Sequence, residues 1–325
     1  MFPLIDSLPR YSAVYLEALE KKGRQESTIR RYFYDVNDFL AWMRVVKKED
    51  SFSVFQSLQT KDFQSYFDFL MKERHYSLRT LQRVLTVLKQ LVQFQISLGN
   101  LSFNPVSGVE IGPKDDACFT EEDFITSDEL QQLFETVRSY KGLTENQQKY
   151  RHMLIDRNQS IIMLLAYYGL TLHELTSLKM KHINFTKGYV HVPSETSLTR
   201  EIPLEKNDQT LLYSYYETIP QAVRPAWYSN DHFLAAFDYQ RGTYRWVYKT
   251  HSPKPLTEIA VQKMIRLEIE RSGLRKGISA QHLRRTCILN DVKAGLDFET
   301  MKTKYGFRSP LSLRRYYNYL QVIPT

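Results

Sequence analysis

The chain has 325 residues, 42% of them hydrophobic, enough for two domains of ordinary size with buried cores. Its two cysteines, Cys118 and Cys287, are too few and too far apart for a disulfide framework or a paired-cysteine metal site, and no cofactor or metal is expected. The whole net charge of +8 falls within residues 271–317, which hold 11 Lys/Arg against 3 Asp/Glu; such a field suits a polyanion like DNA, although a solvated basic surface accounts for it as well.

The opening residues, MFPLIDSLPRYSAVYLEAL, lack the basic start and long apolar run of an export signal. No window approaches eighteen uninterrupted apolar residues, so a cytoplasmic protein without a membrane span is expected. The first hundred residues read as helices. Ser27 fits the N-cap of a helix running to about 43, with Ile29, Tyr32, Phe33, Val36, Phe39 and Leu40 at helical spacing. Thr60 fits the cap of a second, over 61–74, with Phe63, Tyr66, Phe67 and Leu70 on its apolar face. Ser77 opens a third and longer one, whose stripe is Leu81, Val84, Leu85, Val87, Leu88, Leu91, Val92 and Phe94, stopped by Gly99-Asn100. The opposite face of its first turns carries Arg79, Thr80, Gln82 and Arg83.

Proline, glycine and acidic residues without periodicity mark a linker over 105–123. A second domain follows, opening on a helix start at Ser127. Further helices are expected over 157–168, 172–178, 208–218, 256–271, 282–294 and 312–320. Between them, GYVHVPSETSLTREIPL reads as a β-hairpin with strands at 189–192 and 200–204.

Four segments of the second half, in order, resemble the catalytic domain of tyrosine recombinases (phage integrases). They are LLAYYGLTLHELTSLKMKHINF, the hairpin ending Ile202-Pro203-Leu204, QHLRRT at 281–286, and YGFRSPLSLRRYY at 305–317. The helix at Ser77 with NPVSGV after it is similar to the family's DNA-clamping N-terminal domain. The resemblance implies a mainly α fold with a small β-sheet, in two domains: a helical core-binding domain over 1–104, a linker over 105–123, and an integrase-like catalytic domain over 124–325.

The family breaks DNA by attack of a tyrosine hydroxyl on a phosphodiester. That chemistry needs a nucleophile, cationic donors for the charge growing on the phosphate oxygens, and an acid for the leaving oxygen. By the resemblance, the first clamp arginine falls on Thr171, the hairpin lysine on or near Glu195, the first histidine on Gln281 and the last on Phe307. The second arginine is kept as Arg284 and the nucleophile as Tyr316. A second register, His282/Arg285, is open. Gln281/Arg284 is preferred because Leu283 stands directly before the arginine, Thr286 two after it, and Phe307 follows at 23 residues. Losing one oxyanion donor costs about 10²–10³ in rate. A chain without enzymatic activity is therefore expected, with Tyr316 an ordinary tyrosine that titrates near pH 10.

Phosphate contacts need only cations, hydroxyls and helix N-termini. Candidates are Lys276, His282, Arg284, Arg285, Arg308, Arg314, Arg315 and Tyr316, with Lys181 and Arg200 near the hairpin, and Arg79, Thr80 and Arg83 in the N-terminal domain. By the resemblance, the helix bearing Arg79 and Arg83 enters the major groove, where arginine reads guanine. The expected function is a sequence-specific binder of double-stranded DNA acting as a transcriptional repressor. The alternatives are a working recombinase using Tyr316 and an accessory recombination subunit. A regulatory protein such as an anti-repressor is a further expected partner. Only nine residues follow Tyr316, which favours a monomer or weak dimer over a stable tetramer.

Overall fold

A computed structural model describes residues 5–24, 26–112, 118–193 and 198–322. The chain divides into two compact units, 1–117 and 118–325. Each has its own core.

The first unit is helical: α1 (Arg10–Lys21), α2 (Glu26–Val46), α3 (Phe52–Ser57), α4 (Thr60–Lys72) and α5 (Leu78–Ser97). The apolar residues of α2 recur every three or four positions, so Ile29, Phe33, Val36, Phe39, Leu40 and Met43 all reach the core. Ser77 caps α5, its hydroxyl accepting from the Thr80 N–H at 3.3 Å. The cap of α4 is Gln59 rather than Thr60. Asp62 accepts from the Gln59 N–H at 2.8 Å, and the Thr60 hydroxyl donates instead to the Pro105 carbonyl at 2.9 Å. That bond shows why the stretch over 105–123 is only partly irregular. Pro105–Gly108 form a 3₁₀ turn, and Val106, Val109 and Ile111 are buried in the first core, hidden from a reading by composition.

The second unit opens with a 3₁₀ turn, Glu121–Asp123, and α6 (Ser127–Arg138), capped by Thr126 one residue before the expected Ser127. Then come α7 (Glu145–Tyr150), α8 (Ile155–Ala166), α9 (Leu172–Ser177) and the strands β1 (Ile183–Asn184), β2 (Tyr189–Val192) and β3 (Arg200–Pro203). After α10 (Lys206–Thr218) stand two small hairpins, β4 (Phe237–Asp238) with β5 (Thr243–Tyr244) and β6 (Trp246–Val247) with β7 (Ser252–Pro253). The chain ends in α11 (Glu258–Ser272), α12 (Ala280–Lys293), α13 (Phe298–Tyr305) and α14 (Leu311–Val322). Residues 157–166 of α8 are all buried, and α6, α9, α10, α11 and α12 pack around them. An apolar helix surrounded this way lies at the centre of its unit.

The antiparallel sheet β1-β2-β3 pairs Val190 with Ile202 and Val192 with Arg200. Side chains alternate across a strand, so Arg200 shares the inward face of Ile202 while Glu201 and Pro203 face out. A smaller core joins α12, α13 and α14 to Phe119 and Phe124. Gly169 lets α13 approach the turn between α8 and α9. Its φ is +61°, and a Cβ there would lie 2.4 Å from a ring carbon of Tyr305.

Among the described residues, no helix is long and apolar enough to cross a membrane.

Candidate nucleic-acid interface

In the second unit, three elements bring charged groups to one buried centre. Thr171 caps α9: its hydroxyl accepts from the Glu174 N–H at 3.1 Å, and its own N–H donates to Glu174 Oε2 at 2.8 Å. Thr171, expected at the place of the family's first arginine, is an uncharged helix cap. Glu174 is turned inward with its side chain 1% exposed. From β3, Arg200 Nη1 donates to Glu174 Oε1 at 2.7 Å, and its Nε donates to the Lys304 carbonyl at 3.0 Å. Arg200, expected among the DNA contacts, is therefore buried in an ion pair, its side chain 1% exposed. Strand alternation is the physical reason.

From α12, Arg284 Nη2 donates to the Tyr305 carbonyl at 3.1 Å. The carbonyls of Lys304 and Tyr305 end α13, so the two guanidiniums sit at the negative end of its dipole. Arg284 Nη1 lies 3.8 Å from Glu174 Oε2 and, though buried, has no hydrogen-bond partner among the described residues. Its guanidinium lies over the rings of Tyr305 and Phe307, at 5.7 and 5.9 Å. Phe307, expected at the place of the family's last histidine, gives Arg284 an aromatic face but no proton to donate. Burial lowers the pKa of Arg284 from its ordinary value, and Glu174 opposes that shift.

Tyr316 of α14 is 6% exposed. Burial pushes its pKa up to about 12, against the pull of Arg284, Arg285 and Arg315. The expectation of an ordinary value is corrected by that burial. Its ring lies 4.9 Å from Phe119, and Phe119 also carries the guanidiniums of Arg315 at 4.2 Å and Arg285 at 5.1 Å. Arg285 donates to Asp123 at 2.5 Å, away from the Glu174 centre. Of the two neighbouring arginines, Arg284 is the one that faces Glu174. His282 closes the cap of α12, its Nδ1 accepting from the Ser279 N–H at 3.2 Å. Burial first, then Arg285 and Arg275, lower its pKa. Gln281 is exposed and lies 3.4 Å from an Arg285 nitrogen.

Lys276, Arg308, Arg314 and Arg315 are exposed. Lys181 is exposed too, but its backbone N–H donates to the Ser229 carbonyl, which places it with the 229–232 segment. Glu195 lies outside the described residues. Not every charge of the 271–317 stretch reaches the surface: Arg271, like Arg151, is bonded to buried Glu268.

In the first unit, Arg79 is exposed at the start of α5 and Thr80 is half-buried beside the cap. Arg83, 31% exposed, is paired with Asp35 of α2 through Nη1. The pair lies in a groove of about 750 Å³ that Arg30, Arg31, Tyr34 and Tyr76 also line. Burial raises the pKa of Asp35, and Arg83 opposes the rise.

Glu174, Phe119 and Asp35 were not singled out from the sequence. Glu174 carried a usable signal, since it stands three residues after Thr171 in a capping-box pattern. Phe119 and Asp35 carried none, because their roles come from partners distant in sequence.

The profile of the phage integrase family matches residues 123–321, and that of the phage integrase N-terminal SAM-like domain matches residues 14–95. The tyrosine recombinase XerD of Listeria monocytogenes is 23% identical over 286 residues, covering 88% of this chain and 86% of its own. The tyrosine recombinase XerC of Lactobacillus delbrueckii subsp. bulgaricus is 21% identical over 287 residues, with the same coverage. The Tn1549 transposon integrase, solved in complex with circular intermediate DNA, superposes with a TM-score of 0.68 at 16% identity, over 97% of this chain and 98% of that one. A lambda integrase dimer bound to a core site gives 0.65 at 15% identity, over 97% and 78%. These relatives overturn the expectation of a chain without enzymatic activity, because the proteins matched over most of its length are named recombinases, which are enzymes. The mainly helical, two-part fold and the two profiles agree: this chain belongs to the phage integrase family of tyrosine recombinases.

Proposed function

We propose that the chain binds specific sites on double-stranded DNA and represses transcription by occupying them. One observation carries the reading: Arg284 Nη1 is a buried cationic donor with no hydrogen-bond partner among the described residues, in a unit that also carries the exposed Arg308, Arg314 and Arg315. An unsatisfied buried donor is costly, and a phosphate oxygen would satisfy it. In this reading the second unit grips the backbone, while Arg79, Thr80 and Arg83 of the first unit meet base edges.

The repressor role has separate support. The length and the N-terminal segment MFPLIDSLPRYSAVYLEALEKKG resemble the master repressor of SPβ-type Bacillus prophages, which maintains lysogeny. Binding as a monomer or weak dimer and release by a regulatory protein belong to the same reading. Selection of bound fragments from genomic DNA tests it: the recovered sites should cluster at promoters, and sites scattered without regard to promoters would refute repression.

A second reading, strand cleavage, is favoured by the three arginines around Tyr316. It predicts a covalent protein–DNA adduct on a nicked substrate that disappears in Tyr316→Phe. Failure to form the adduct would count against it.

A further inference from the structure

We infer that Arg200 keeps Arg284 available to a DNA phosphate by neutralising Glu174, and so supplies the positive charge that position 171 lacks. The inference rests on the proposed phosphate contact of Arg284. Glu174 is a carboxylate taken almost wholly out of water, and a buried charge needs a partner. Thr171 offers it only a backbone N–H and no charge. Two guanidiniums converge on the carboxylate. Arg200 is at hydrogen-bond distance, 2.7 Å from Oε1, while Arg284 stands off at 3.8 Å from Oε2.

Both arginines are anchored on the end of α13, through the adjacent carbonyls of Lys304 and Tyr305, so their separation is set by the helix. The division of labour follows. Arg200 takes the carboxylate, and the Nη1 of Arg284 is left with its bonding capacity unspent. Without Arg200, the cation nearest to Glu174 among the described residues is Arg284. A charge-assisted bond would then turn its Nη1 inward, where it competes with phosphate. Arg200 is thus a positioning residue that acts through Glu174.

The test is a double-mutant cycle on the full chain, read by anisotropy of a labelled double-stranded DNA, with circular dichroism to verify folding. Arg200→Gln should weaken binding about 10-fold or more, and Glu174→Gln/Arg200→Gln should return it to within about 3-fold of the parent, because no carboxylate remains to capture Arg284. A double variant as weak as Arg200→Gln would overturn the inference, since Arg200 would then matter by some route other than Glu174. So would an Arg200→Gln protein that binds like the parent. If Arg200→Gln does not fold, Glu174→Gln and the double variant decide: both should bind like the parent, and a loss of about 10-fold in either refutes the inference. Arg284→Ala, measured alongside, separates the two claims. If it binds like the parent, the phosphate contact itself fails; if it weakens binding while the cycle shows no rescue, only the role of Arg200 fails.

Discussion

Arg284 is held by groups that leave one of its nitrogens unspent. The Tyr305 carbonyl takes Nη2, two aromatic rings flank the guanidinium, and Glu174 stays beyond bonding distance. A hydrogen bond to a charged group contributes about 1.5–3 kcal/mol, so Arg284→Ala should weaken DNA binding by about 10- to 100-fold. Losing one phosphate contact should also lower the salt slope by about 0.9. Tyr316 makes a prediction in pH. Its folded pKa, about 12, is raised above the ordinary 10.0, so the stability it contributes is complete below pH 10 and is lost as pH climbs toward about 12. Ultraviolet difference titration of the parent against Tyr316→Phe should show this phenol ionising near 12; ionisation near 10 would contradict the burial assigned to it. At this scale the sequence shows only which residues stand at 171 and 307, and neither Thr171 nor Phe307 carries a charge in any fold. Which groups meet in space was not visible. Arg200 reaches Glu174 only because β2 and β3 fold back, and Phe119 meets Arg285 and Arg315 only once α12 and α14 are packed.

Helices with a broad apolar stripe were legible as elements. The boundaries of α5 follow from Ser77 and Gly99, and the hairpin β2-β3 follows from its alternation. The same alternation, carried one residue further, places Arg200 inward with Ile202. Elements without a stripe escaped. The strands β4 to β7 have two residues each, too few for any period, while α7 and α13 are short. The cap of α9 gives a prediction at this scale. Thr171 joins helix stability to the placement of Glu174, so Thr171→Ala should lower the unfolding free energy by about 1 kcal/mol, read by chemical denaturation. No loss of stability would mean that the capping box does not hold α9.

Across the whole chain, charge is sorted between structure and surface. Arg151, Arg200 and Arg271 are enclosed in ion pairs, while Arg79, Lys276, Arg308, Arg314 and Arg315 stay exposed. Composition counts both kinds alike, which is why the basic excess of 271–317 could not say how much of it faces a ligand. The first unit presents the exposed Arg79 on α5, and the second presents Arg308, Arg314 and Arg315 just before and on α14; phosphate contacts can draw on both. The most direct test of this account is the affinity of the purified chain for a duplex recovered from genomic DNA, compared with a scrambled duplex over a range of salt. The account predicts binding to the recovered duplex tighter by about 10³-fold or more, with a steep fall for both as salt rises. Equal affinity for the two duplexes, or binding indifferent to salt, would contradict it.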